Sequence, residues 1–210
     1  MKRLFFIWFF IPLISYCQTD SEFILQNSIS VEWGKNCISE IDCFYLSLDS
    51  ALIFDDDDIY DYYYTLYYSY ENERKQEIDS GNWDDLGYDL TLYSFKSQRD
   101  NSYVVFLEFE YEHFSSLMAY YIRERKLMRI GKWIIYLPCD TCERADYNIE
   151  NHYLYQKNDE IEFYSLKDVE FLDYSNKKYH WESNDWVSYK AGELIISFNI
   201  IDGTVKRVEK

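Results

Sequence analysis

Glycine and proline are scarce, with six and two in 210 residues. That shortage excludes flexible linkers and collagen-like repeats. Positive charge is the minority: 21 Lys and Arg stand against 38 Asp and Glu, a formal net charge of −17. So acidic a chain repels a phosphate backbone, which excludes nucleic acid as a partner. The three histidines, His113, His152 and His180, fall in no metal-binding spacing such as His-Glu-x-x-His. There is no Gly-x-Ser-x-Gly elbow for a serine nucleophile, and the scattered glycines form no phosphate-binding loop. Nothing in the sequence calls for a cofactor. A long amphipathic helical pattern is missing too, as is any apolar run of the roughly 20 residues that span a bilayer.

What is present begins with an address. Lys2 and Arg3 precede the apolar run Leu4–Ile14, and Ser15-Tyr16-Cys17 ends it before Gln18. This is the layout of a bacterial secretory signal peptide over residues 1–17. It leaves a single β-rich domain over 18–210, bound for the periplasm or the exterior. Cys17 offers an alternative as a lipid anchor, although Tyr16 is too large for that motif.

Four cysteines then remain: Cys37, Cys43, Cys139 and Cys142. An even number in an exported chain favours disulfides. Local pairing, Cys37 with Cys43 and Cys139 with Cys142, is the first expectation. Cys139-Asp-Thr-Cys142 also has redox spacing, but Asp140 and Glu143 would disfavour a reactive thiolate. A zinc site would need tighter spacing than Cys37 and Cys43 provide.

Alternation with period two marks strands. It runs through Tyr60–Tyr70, whose even positions are Tyr except for Leu66. It recurs in Tyr88–Lys96, Tyr103–Tyr111 and Leu117–Arg123. Leu127–Leu137 is apolar on both faces and reads as a central strand. Glu160–Tyr164 and Val169–Tyr174 are shorter. At the C-terminus, Asp202-Gly203 predicts a two-residue type I′ turn between Leu194–Ile201 and Thr204–Val208. Asn72–Ile78 is the one short helix candidate, and polar Ser69–Asp85 the one candidate boundary. Strands without helical crossovers predict antiparallel pairing. The expected fold is mainly β, an antiparallel sandwich or barrel-like domain with at most a short helix.

Three features could carry function. Asp55, Asp56, Asp57 and Asp58 are weak calcium candidates, lacking the spacing of an EF-hand and reading more simply as a solvated turn. Glu108 and Glu110 share a strand face at a separation that suits paired glycosidase carboxylates, yet alternating Glu also suits a solvated sheet face. Aromatic residues make up 20% of the chain, including 23 tyrosines. Trp181, Trp186 and Tyr189 lie in a polar context, either covering the end of a core or offering rings to a protein or glycan. The leading expectation is a non-catalytic binding protein, such as an inhibitor or immunity-type protein against a basic partner. A glycan-binding or glycan-processing β-domain and a thiol oxidoreductase are the alternatives.

Overall fold

The structure, a computed structural model, describes residues 21–31, 34–40, 42–52, 60–71, 73–82, 89–110, 115–136, 149–173 and 186–208. It is mainly β. The strands in chain order are β1 (Ser21–Ser30), β2 (Gly34–Cys37), β3 (Asp42–Leu52), β4 (Tyr60–Tyr70), β5 (Gln76–Asn82), β6 (Asp89–Ser97), β7 (Tyr103–Glu110) and β8 (Ser115–Arg123). They continue with β9 (Lys126–Tyr136), β10 (His152–Lys157), β11 (Glu160–Ser165), β12 (Val169–Asp173), β13 (Val187–Tyr189), β14 (Leu194–Asn199) and β15 (Val205–Arg207).

Two antiparallel sheets result. An eleven-stranded sheet has the order β13-β12-β9-β8-β7-β6-β1-β10-β11-β14-β15, and a four-stranded sheet the order β2-β3-β4-β5. The large sheet curls on itself. Trp133 of β9 lies 5.9 Å from Phe163 of β11, and Tyr121 of β8 lies 6.0 Å from Phe198 of β14. These strands sit far apart in the sheet order, so only curvature brings the rings together. At the seam, the Tyr189 hydroxyl on edge strand β13 donates to the Val208 carbonyl just beyond edge strand β15, at 2.7 Å.

The concave face holds one core, in which Phe106, Trp133, Phe163 and Phe171 pack at 5.5–6.2 Å between ring centroids. Fully burying each such side chain contributes on the order of 1.5–3 kcal/mol. A second core lies between the convex face of β6–β8 and the small sheet. There Phe44, Leu46, Tyr64 and Leu66 meet Leu92, Val105, Leu107, Phe109 and Tyr120. Strands β6–β8 therefore carry apolar side chains on both faces. In β8 every residue from Ser115 to Ile122 is buried, which explains its nearly continuous apolar reading.

Several expectations need correction. Of the stretch proposed as a short helix, Asn72–Ile78, Asn72 lies outside the described residues and Gln76–Ile78 begin β5, which pairs with β4 (Tyr67 opposite Glu77, Tyr68 opposite Gln76). Ladder pairing satisfies its backbone groups where an isolated helix of that length would be marginal. Among the described residues the one helical turn is a 3-10 turn at Ile149–Asn151. Asp202-Gly203 is no two-residue type I′ turn, because Gly203 alone has positive φ. The Asn199 side chain accepts from the Ile201 and Asp202 N–H groups and widens the loop. Glu108 does not face solvent either. It is 5% exposed, on the concave side with Val104 and Phe106. The curl that encloses this face buries the carboxylate, and the Tyr93 hydroxyl bonds to it.

Candidate functional site

The tyrosines of β10 and β11 follow directly from alternation. Leu154, Ile161 and Phe163 point into the concave core, so Tyr153, Tyr155, Glu162 and Tyr164 point outward. All four are half-buried. Tyr153 and Tyr164 are directly opposed across the ladder, and their rings stack at 4.9 Å with 2° between planes. The Tyr164 hydroxyl donates to Glu162 at 2.7 Å. Partial burial and then the Glu162 carboxylate hold the Tyr164 proton well above the ordinary tyrosine range. The result is a stacked pair of rings, one face of each turned to the other, beside a carboxylate.

The outward face of the small sheet repeats the theme. Lys35, Tyr45, Tyr67 and Glu77 stand opposite one another across β2–β5. The Lys75 ammonium lies 3.8 Å above the Tyr45 ring. Elsewhere the Arg125 guanidinium lies 4.8 Å from the Tyr70 ring, and the Lys96 ammonium 5.7 Å from that of Tyr103. The molecule's own cations thus already use its tyrosine faces.

A cleft of about 580 Å³ opens where the β2–β3 connection meets the β6–β7 and β8–β9 turns. Its walls include Tyr70, Tyr103 and Ile122, and its rim Glu40, Asp100, Arg123, Glu124 and Arg125. Asp42 sits at its base, 5% exposed, accepting from the Tyr68 hydroxyl at 2.5 Å and the Ser39 hydroxyl at 2.9 Å. Burial alone would raise the Asp100 pKa, but the Ser102 hydroxyl and N–H, with Arg123, bring it below the usual carboxylate value. Glu124 and Arg125 form a two-residue hairpin turn with φ of 50° and 69°, between paired Arg123 and Lys126. That is type I′ geometry, which favours Asn-Gly; two long charged residues hold it here. A second, shallow hollow of about 370 Å³ is lined by Lys157–Glu160, Glu162 and Asn199.

Only some of the residues singled out from sequence are among those described. Cys37 and Cys43 are paired as a disulfide across β2 and β3, as expected. Cys139, Cys142, Asp55–Asp58, Trp181, His113 and His180 lie outside the described residues, as does the leader with Cys17. Trp186 is half-buried. Tyr189 is 1% exposed, edge-on to Phe171 at 6.1 Å, and so belongs to the core rather than to an open surface. His152 is buried and stacked on Phe163 at 4.8 Å. Among the described residues no group of three or more His, Cys, Asp or Glu is placed to hold a metal ion. No described helix is long and apolar enough to cross a membrane.

Sequence reasoning missed the stacked pair and the cleft. The pattern HYLYQK–NDE–IEFYS did carry a signal for the first: two alternating runs joined by a short polar turn place Tyr153 opposite Tyr164. The cleft joins three turns distant in sequence, and no local pattern reveals it. No protein-family model, curated protein or solved structure matches this chain.

Proposed function

We propose that the chain is an exported, non-catalytic binding protein that recognises a basic protein partner in the bacterial envelope or exterior. In this reading residues 1–17 are the leader, and the remainder is one barrel-like β-domain acting in the periplasm or outside the cell. The observation that carries it is the stacked Tyr153–Tyr164 pair, with Glu162 beside it. Rigid half-buried rings supply contact area at little conformational cost, and a neighbouring carboxylate favours a lysine or arginine packed beside them. The net charge of −17 would steer a cationic protein to this surface. An inhibitor or immunity-type role against a cationic enzyme fits the same chemistry.

The test is capture from envelope extract by the mature protein and by Y153A/Y164A, at low and high salt. A defined basic partner, retained at low salt, released at high salt and lost in the variant, supports the reading. Equal capture by both proteins, or no partner under any condition, overturns it. An outer face of the stacked pair also suits a sugar ring, so a glycan-binding β-domain is the second reading. Titration with surface polysaccharides, followed by tyrosine and tryptophan fluorescence, separates the two.

A further inference from the structure

We infer that the cleft between the two sheets receives an arginine or lysine side chain of that basic partner, an inference that rests on the function proposed above and assigns it a pocket. The cleft's volume of about 580 Å³ falls within the range of ligand sites. Its wall already shows what it accepts. The Arg125 guanidinium lies 4.8 Å from the Tyr70 ring, drawn between Glu71 and Glu73 at 3.9 Å each. Arg123 is likewise held by Glu124 at 3.5 Å and Asp100 at 3.9 Å. The rim's own cations are thus matched by carboxylates, and exposed Glu40 adds negative charge at the mouth. The Tyr103 ring, which the Lys96 ammonium approaches at 5.7 Å, forms a second aromatic wall.

The backbone bears on the same place. Four non-glycine residues among those described have positive φ; two of them, Glu124 and Arg125, line this rim, and a third, Glu71, pairs with Arg125. A tight turn built for ease of folding would carry Asn-Gly; this one holds charged side chains at the mouth instead. An incoming guanidinium would meet exposed Glu40 and Glu124 at the mouth of an aromatic-walled cleft, which favours a cation over an anion.

The experiment titrates the mature protein at low ionic strength with the peptide acetyl-Gly-Arg-Gly-Arg-Gly-amide and with its Glu counterpart, followed by backbone amide NMR. The arginine peptide should shift amides of Ser39–Asp42, Asp100–Tyr103 and Arg123–Arg125, and the glutamate peptide should shift none. The variant E40Q/E124Q, altered only at exposed side chains, should keep its melting temperature and bind the arginine peptide about tenfold more weakly. Shifts centred elsewhere, equal response to both peptides, or undiminished affinity in the variant overturns the inference. The two proposals fail separately. If E40Q/E124Q captures the envelope partner as the wild type does while Y153A/Y164A does not, the pocket assignment falls and the binding function stands. If the peptide seats in the cleft but no basic partner is captured, the reverse holds.

Discussion

The Tyr68 hydroxyl donates to the Asp42 carboxylate at 2.5 Å, joining β4 to the first residue of β3 in a site where both side chains are buried. Asp42 takes its second bond from Ser39, so this one carboxylate organises the base of the cleft. Tyr68→Phe removes the phenolic donor and keeps the ring's packing against Phe44. We expect a loss of about 1–3 kcal/mol, the cost of leaving a buried acceptor short of a partner. Urea denaturation measures it, and an unchanged midpoint would refute it.

The Glu124-Arg125 turn yields an opposite expectation. Replacing it with Asn-Gly puts glycine at one left-handed position and the more tolerant Asn at the other, a gain of about 1–2 kcal/mol. Lost contacts of Arg125 with Tyr70 and of Glu124 with Arg123 offset about half of this. The variant should melt a few degrees higher and bind the arginine peptide more weakly. Differential scanning calorimetry alongside the peptide titration checks both halves.

Alkaline pH should unfold the protein. Burial raises the proton affinity of Tyr68, Tyr93 and Tyr120, reinforced by Asp42, Glu108 and Asp79 respectively. Their folded pKa values lie above the unfolded value of about 10. The stability they contribute is therefore complete below pH 10 and is lost as pH climbs past it. Phenolate absorbance should reveal a set of tyrosines that ionise only as the folded near-ultraviolet signal disappears. Full ionisation near pH 10 with the fold intact would contradict this.

The Cys37–Cys43 disulfide spans six residues. In the loop-entropy picture so short a closure stabilises by about 2 kcal/mol, and C37S/C43S should lose that amount. Adding reductant to the wild type separates the remaining thiols. A larger loss with reductant than in the double variant assigns the excess to Cys139 and Cys142; an equal loss assigns it all to this bond.

Much of the strand pattern was legible because one face of each strand meets a core. Tyr60–Tyr70 was read with the bounds of β4, since Tyr64, Leu66 and Tyr68 alternate toward the second core. Leu127–Leu137 was read as buried on both faces, and Trp133, Ile134 and Ile135 are all buried. The failures have physical causes. In β1 a bulge between Leu25 and Asn27 breaks the alternation. Strand β13 has three residues, too few to show a period. Glu108 was misplaced because a curled sheet encloses its concave face, and curvature is a property of the whole sheet rather than of one strand. The Cys37–Cys43 pairing was the first expectation from an even cysteine count and a short closable loop, whereas the cleft depends on turns brought together by the packing of two sheets.

Strands β6–β8 act as a party wall between two rooms. Leu92 and Leu107 hang on one side of it, and Phe95 and Phe106 on the other. Neither room can be emptied without stripping a face of the same masonry. Loosening either core would therefore expose one face of the same three strands.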